Sequence, residues 1–171
     1  MAMSAFRIRH LEPDDAGDLR ELAADASVYG NTLQLPFPSA ATMASRMEKM
    51  LGAGRCQLVC ETAGGKVVAS AGLWRFDEQR LAHIAGLGIN VHRDWQGRGV
   101  GKLLMAALLD LADNWIGLQR IELMVYPDNL PAQALYRRFG FVEEARMRAH
   151  SFRDGAYHDA LLMGRLRGGR V

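Results

Sequence analysis

Three glycines stand within five residues, Gly97, Gly99 and Gly101, between an apolar run and an amphipathic one. Glycine lets the backbone turn tightly and direct successive N–H groups into one concavity. If the following residues form a helix, its positive end adds to the attraction for a negative group. The segment therefore predicts a phosphate-binding loop, with Arg98 and Lys102 supplying charge at its rim.

Two common phosphate motifs do not fit this loop. A Walker loop requires a hydroxyl residue after Gly-Lys and a glycine five positions earlier. Here Leu103 follows Gly101-Lys102, and the earlier position is Gln96. A dinucleotide fingerprint starting at Gly97 requires glycine or alanine five residues later, where Lys102 stands. These departures argue against a nucleotide hydrolase and against a dinucleotide-binding loop.

A second group of residues completes a recognisable pair of motifs. Residues 96–101, Gln-Gly-Arg-Gly-Val-Gly, resemble the Gln/Arg-x-x-Gly-x-Gly/Ala pyrophosphate loop of the GNAT superfamily of N-acetyltransferases. Asn129, Ala132, Tyr136 and the pair Gly140-Phe141 resemble that family's Asn-x-x-Ala-x-x-x-Tyr-x-x-x-Gly-Phe segment. Together with the order of predicted elements, the two motifs extend the resemblance over most of the chain.

The resemblance implies that acetyl-CoA is the cosubstrate. In the family pattern, backbone groups around residues 89–91 hold the pantetheine arm, and an N–H near Val91 meets the thioester oxygen. Tyr136 is the expected acid that protonates the departing thiolate. The full set of implied cofactor contacts is Ile89, Val91, Gln96, Gly97, Arg98, Gly99, Val100, Gly101, Lys102, Asn129, Ala132 and Tyr136. The five histidines show no metal-ligand spacing, so no metal is expected.

Acetyl transfer to an amine requires that the amine be neutral. An α-amine titrates near pH 8 and a lysine near 10.4, so an α-amine needs only a modest base. No Cys-His pair with nucleophile spacing occurs, and direct attack in a ternary complex is expected. The candidate bases are Glu122 and His83 on strands, with His92 close to the loop and relayed water as an alternative.

Two further segments resemble a narrower bacterial branch of the family that acetylates free L-amino acids such as phenylalanine and methionine. They are residues 28–36 and the ending Arg153-Asp154-Gly155-x-x-x-Asp159-Ala160-x-x-Met163. An amino acid carboxylate would be matched by Arg75, Arg148 or Arg153. The residues expected to line the acceptor side are Tyr29, Asn31, Thr32, Gln34, Phe37 and also Leu35.

Other acceptors and another class of protein stay open at this point. The amine could belong to a peptide or protein, a polyamine or an antibiotic. A polyamine site should be acidic, and the expected acceptor loop holds no acidic cluster. A non-catalytic acetyl-CoA-binding module is a second alternative, against which the presence of Tyr136 argues.

The elements that position these residues form an α/β pattern in the order βααβββαβαββ. It predicts the GNAT fold, a central mixed twisted β-sheet of about seven strands flanked by about four helices. The expected strands are 6–8, 56–62, 66–74, 81–91, 121–125, 141–148 and 157–165. The expected helices are one that begins near Pro13, then 39–51, 100–115 and one from Asn129 to Gly140.

Composition places the chain among ordinary globular proteins, with 171 residues treated as a single domain, 1–171. A formal charge of +2 and the lack of a long apolar run predict neither a nucleic-acid nor a membrane partner. Cys56 and Cys60 on one strand would stand about 13 Å apart, too far for a disulfide. Free thiols suit a cytoplasmic protein. A homodimer is expected by family analogy alone.

Overall fold

Seven strands and five α-helices make up the computed structural model, which describes residues 6–169. The strands are β1 Phe6–His10, β2 Arg55–Thr62, β3 Val67–Arg75, β4 Ile84–Val91, β5 Arg120–Val125, β6 Val142–Arg153 and β7 Ala156–Leu166. The helices are α1 Ala16–Ala24, α2 Ala26–Tyr29, α3 Ala40–Met50, α4 Val100–Asp110 and α5 Leu130–Arg138. The strands form one mixed sheet in the order β1-β2-β3-β4-β5-β7-β6, which confirms the predicted fold.

Helices cover both faces of the sheet. On one face, α1 and α3 pack Leu22 and Met43 against residues that include Val59 of β2. On the other, Leu104 and Leu108 of α4 join a core that includes Cys60 of β2. Neighbouring residues of a strand point to opposite faces, so Val59 and Cys60 contribute to different cores.

Some element boundaries differ from those expected. Strand β4 begins at Ile84, because residues Gln79–Leu81 form a 3-10 turn instead of extending the strand. The short helix α2 was not indicated by the sequence, and Asp25 caps it by accepting a hydrogen bond from the Ser27 N–H at 2.9 Å. Helix α4 continues as a π-helical turn over Leu111–Ile116 and ends at Gly117, whose φ is 76°.

The two cysteines are free, as expected from their spacing. Cys60 is fully buried, and burial raises the pKa of its thiol to about 11. Within residues 6–169, every helix is too short or too polar to span a membrane.

The feature of the fold that creates a site is the separation of β4 from β5. These are parallel neighbours, and they pair only from Ile84 and Arg120 up to Gly86 and Glu122. Beyond that point β4 stays paired with β3, and β5 stays paired with β7. The ends of β4 and β5 therefore diverge and leave a gap in the middle of the sheet.

Candidate active site

A cavity of about 830 Å³ lies where β4 and β5 diverge. Its walls come from the α2 segment, the end of β4, the glycine loop, the end of β5, α5 and the tip of the β6–β7 hairpin. The cavity thus brings together segments that are far apart in the sequence. Its volume is in the range of small-molecule sites.

The end of β4 presents to this cavity backbone that is not paired with a neighbouring strand. The His92 N–H donates to the Val68 carbonyl at 3.0 Å, which fixes the phase of the antiparallel ladder between β3 and β4. Hydrogen-bonded pairs alternate along such a ladder, so Asn90 exchanges hydrogen bonds with β3. The N–H and C=O groups of Ile89 and Val91 consequently point away from β3, toward the gap. This is the main-chain surface that the sequence predicted for a pantetheine arm.

The glycine loop next to β4 has a backbone geometry that suits an anionic group. Gly97 and Gly99 have φ values of 71° and 82°, and a Cβ at either position would meet open space. No side chain caps the start of α4, and the first N–H groups of a helix have no partner within it. Gly101 approaches Leu135 so closely that a Cβ would lie 3.3 Å from its Cδ2. Free N–H donors and the positive helix end therefore face the cavity together.

The charged and apolar residues of the loop take different places. Lys102 lines the cavity, but Arg98 does not, because its guanidinium stacks on the Trp95 ring with Cζ 5.0 Å from the centroid. The side chain of Val100 is buried in the core, so only its backbone is available to a ligand. Gln96 lines the cavity and donates from Nε2 to the Val91 carbonyl at 2.9 Å.

Helix α5 supplies Tyr136 to the cavity wall. The side chain is 6% exposed, and burial raises the pKa of its phenol to about 12. The hydroxyl is therefore protonated at neutral pH and can act as a proton donor. Asn129 caps α5 by accepting from the Ala132 N–H at 3.3 Å, and both residues line the same cavity.

The structure places none of the candidate bases at the cavity wall. Glu122 lies where β4 and β5 are still paired, and its Oε2 is 3.1 Å from the Arg120 guanidinium. His83 precedes β4, and at ~3.3 Å per residue it stands roughly 20 Å from Ile89, the first residue of β4 to line the cavity. His92 accepts from the Asp94 N–H at 3.3 Å. Within residues 6–169, moreover, no group of three or more metal-binding side chains is arranged around a common point.

Only part of the expected acceptor segment reaches the cavity. Asn31 and Thr32 line it, whereas Tyr29, Gln34, Leu35 and Phe37 do not. The Gln34 Oε1 accepts instead from Arg46 of α3 at 2.6 Å. The Phe37 side chain is 93% exposed, and Leu35 is 77% exposed.

An ion pair at the acceptor end joins an expected arginine to an unexpected aspartate. Arg153 lines the cavity and donates to both oxygens of Asp128, and its Nη1 donates to the Gly30 carbonyl at 3.1 Å. Its Cζ lies 4.3 Å above the Tyr126 ring. Arg153 also holds the pKa of the Asp128 carboxyl below its usual value. Arg75 and Arg148, the other arginines considered for a carboxylate, do not line the cavity.

A buried clasp attaches the acceptor segment to the glycine loop. The Asp25 side chain is 1% exposed and accepts from the Arg93 N–H at 2.7 Å and the Arg93 Nε at 2.8 Å. Burial opposes the ionisation of Asp25, but these hydrogen bonds and one from Ser27 outweigh it and lower its pKa. Gln96 extends the clasp by donating to Ser27 Oγ at 3.1 Å. The two sides of the cavity are thereby held in one arrangement.

Substitution of Asp25 by asparagine should loosen this arrangement. We expect the free energy of unfolding at pH 7 to fall by about 2 kcal/mol, since charge-assisted hydrogen bonds to a buried carboxylate are lost. We expect kcat/KM for the amine to fall about tenfold, because the acceptor segment shifts. The difference in stability should begin to shrink below about pH 4, where the carboxyl of the unfolded chain takes up a proton, and should disappear only below the lowered pKa of Asp25 in the folded protein.

Denaturant titrations at pH 7 and pH 3, together with steady-state kinetics, measure these effects. Asp94→Asn is the matched control, because Asp94 is in the same loop but its side chain is 72% exposed. If both variants behave alike at pH 7, the clasp has no special role.

Comparisons with known proteins agree with this geometry. The model of the Acetyltransferase (GNAT) family matches residues 26–141. The chain is 37% identical to the L-amino acid N-acetyltransferase AaaT of Escherichia coli K12, over 96% of the chain and 100% of that relative. It is 25% identical to the spermidine N(1)-acetyltransferase of the same organism, over 93% of the chain and 84% of that relative.

Solved structures show the same fold. A spermidine N-acetyltransferase from Vibrio cholerae, in complex with CoA and spermine, superposes with a TM-score of 0.85 at 24% identity, covering 98% of both chains. A phosphinothricin acetyltransferase from Sinorhizobium meliloti, in complex with AcCoA, also gives 0.85, at 22% identity over 95% of this chain and 88% of that one. The chain belongs to the GNAT acetyltransferase family and is an acetyl-CoA-dependent N-acetyltransferase.

Proposed function

We propose that this enzyme transfers the acetyl group of acetyl-CoA to the α-amine of a free L-amino acid such as phenylalanine or methionine. The observation that carries the proposal is the Arg153–Asp128 pair at the acceptor end of the cavity. A zwitterion complements such a pair, since its carboxylate suits Arg153 and its ammonium, before it loses a proton, suits Asp128. The similarity to an L-amino acid N-acetyltransferase over nearly the whole chain supports the same acceptor.

The other side of the cavity suits acetyl-CoA. The free N–H groups from Gly97 to Lys102 would hold the pyrophosphate, with the Lys102 side chain close by. The outward-facing backbone of Ile89 and Val91 would hold the pantetheine arm. The Val91 N–H would also stabilise the charge that develops on the thioester oxygen. Asn129 would contact the same arm from the start of α5.

The reaction needs one nucleophile and one acid. The neutral amine attacks the thioester carbonyl, a C–N bond forms, and the C–S bond breaks. Tyr136 donates its phenolic proton to the departing thiolate, and the proton lost by the amine returns to the phenolate through water. Glu122, His83 and His92 are not assigned as the base, because they lie outside the cavity wall. We propose a water relay for the proton that leaves the amine.

A polyamine acceptor is the main alternative, favoured by the spermidine acetyltransferases among the relatives. Asp128 and Asp154 both line the cavity and would attract cations. Arg153 is paired with Asp128 and lies 3.9 Å from Asp154, so the cluster offers a positive charge as well as negative ones. The site therefore favours an acceptor that contains both signs of charge.

Replacing Arg153 by glutamine tests whether the enzyme recognises the carboxylate of the acceptor amino acid. We expect kcat/KM for L-methionine to fall about thirtyfold, the loss of a charge-assisted contact. The value for 3-(methylthio)propylamine, which lacks the carboxylate, should change far less. Arg148→Gln is the control, because Arg148 is also on β6 but is exposed and outside the cavity. Equal losses of kcat/KM with both amines would show that Arg153 does not bind the carboxylate of the acceptor.

The remaining expectations are proposals that rest on the sequence and on family analogy. We keep a homodimer, a cytoplasmic location, a single domain over 1–171 and no metal, nucleic-acid or membrane partner as predictions. Sedimentation of the purified enzyme tests the first of them.

A further inference from the structure

A second, smaller cavity of about 60 Å³ adjoins the main one. The two share four lining residues, Asn31, Thr32, Met124 and Val125. A molecule that reacts in the main cavity can therefore extend a substituent into the smaller one. The shared edge also lies next to Gly30, whose carbonyl accepts from Arg153.

The smaller cavity has a mostly apolar lining, with the polar side chains of Asn31 and Thr32 at the edge that it shares with the main cavity and His150 on another wall. Its floor is formed by Val125, Tyr126 and Ala160, all less than 7% exposed. Leu33 forms the outer wall and is 74% exposed. The Tyr126 hydroxyl is already paired with Ser151 Oγ at 2.7 Å, so it presents its ring to the cavity and not an unpaired polar group.

The last wall is His150, and an irregularity in β6 puts it there. The pairing of β6 with β7 shifts register between Met147 and Ser151, and Ala149 has a φ of 48°. Positive φ costs free energy in a residue that is not glycine, and such conformations cluster at functional sites. Asp159 holds the bulge, since its Oδ1 accepts from the Ala149 N–H at 3.0 Å. A bulge of this kind redirects side chains, and here His150 lines the cavity.

We infer that this smaller cavity, lined by Leu33, Met124, Val125, Tyr126, His150 and Ala160, receives the side chain of the acceptor. The inference rests on the proposed amino acid acceptor. With the carboxylate at Arg153 and the amine directed at the thioester, the α-carbon lies beside Asn31 and Thr32. The side chain then enters the smaller cavity. Because the lining is mostly apolar, an apolar side chain fits it best.

The size of the cavity narrows the choice of side chain. An engineered apolar cavity that binds benzene measures about 150 Å³. At about 60 Å³ the cavity here is well below that volume. A linear or γ-branched aliphatic chain, as in methionine or leucine, can enter end-on, whereas a phenyl ring would have to displace the wall. The enzyme should therefore prefer methionine and leucine to phenylalanine.

A matched pair of variants tests the inference. Leu33→Ala removes a wall of the cavity, and Leu35→Ala removes an equally exposed leucine of the same segment that lines neither cavity. We expect Leu33→Ala to lower kcat/KM for L-methionine about fivefold, from the loss of apolar contact, and to leave glycine unchanged. Leu35→Ala should match wild type with both. Measurements with 3-(methylthio)propylamine separate this inference from the proposed function, because that amine keeps the side chain without the carboxylate.

Failure of the two proposals would look different. Equal wild-type kcat/KM values for L-methionine and 3-(methylthio)propylamine would contradict the amino acid acceptor, while a loss confined to Leu33→Ala would still support the cavity. Identical kinetics of Leu33→Ala and Leu35→Ala on every amine would overturn the cavity assignment. As a second test, His150→Ala should enlarge the cavity and raise the phenylalanine-to-methionine ratio of kcat/KM at least threefold. An unchanged ratio would also contradict the assignment of the smaller cavity to the acceptor side chain.

Discussion

Replacement of Tyr136 by phenylalanine is expected to lower kcat about 100-fold, the usual contribution of a positioned general acid. The Kd for acetyl-CoA should stay close to the wild-type value, because the ring is retained and only the hydroxyl is lost. Tyr136 packs against Phe141, with ring centroids 5.9 Å apart, and phenylalanine preserves this contact. Acetyl-CoA affinity by calorimetry and turnover by steady-state kinetics give the two quantities.

The raised pKa of Tyr136 adds a prediction about pH. Since burial raises the pKa of this phenol to about 12, the donor form persists across the whole range in which the enzyme is assayed. It is lost only as the pH rises through that value, so kcat should show no falling limb below pH 10. Tyr157→Phe is the control, because Tyr157 is 73% exposed and outside the cavity. If Tyr136→Phe weakens cofactor binding as much as it lowers kcat, the tyrosine has a structural role instead.

The second large effect is expected from Gly99→Val, which should raise the Kd for acetyl-CoA about 100-fold. The φ of Gly99 is 82°, and its missing Cβ leaves open space at the start of α4. A branched side chain would occupy the concavity meant for phosphate and would strain the backbone that directs the N–H donors. Isothermal titration with acetyl-CoA measures this loss.

Backbone strain alone must be separated from loss of the phosphate site. Gly117→Val provides the control, because Gly117 has a φ of 76° and open space around its missing Cβ but lies at the far end of α4. It should lower the melting temperature and leave acetyl-CoA binding intact. Wild-type affinity in Gly99→Val would refute the loop assignment, and equal losses in both variants would trace the effect to destabilisation.

The cofactor side of the site could be predicted from the sequence because its signals are local. Gly97 and Gly99 adopt positive φ in a tight turn, a conformation that glycine favours, and the turn lies next to the helix that it caps. The spacing of Asn129, Ala132 and Tyr136 places the first at the N-cap of one short helix and the other two within it. Such features are fixed by neighbours in the chain, and a pattern of residue types is enough to identify them.

The acceptor side depends on contacts between distant residues and was predicted only in part. The clasp joins Asp25 to Arg93 across 68 positions, and Arg153 reaches Asp128 across 25 positions. Neither pairing has a local signature. The sequence predicts that Phe37 lines the acceptor side, but the residue is 93% exposed. The path of this segment between prolines is set by its packing on the rest of the protein, which residue types alone do not reveal.

The candidate bases show why the sequence did not predict which strand residues reach the cavity. Glu122 and His83 were selected because their strands border the gap, but the exact residue at which β4 and β5 separate decides which side chains reach it. Pairing continues to Gly86 and Glu122, so both candidates lie on the closed part of the sheet.

The most direct test of amino acid acetylation is the release of CoA thiol from acetyl-CoA across a panel of amines. The panel should contain free L-amino acids, short peptides, spermidine and aminoglycosides at matched concentrations. We predict that free amino acids release CoA thiol, methionine and leucine faster than phenylalanine, and that the other amines release little. Release only with spermidine, peptides or aminoglycosides, or no release with any amine despite measurable acetyl-CoA binding, would contradict it.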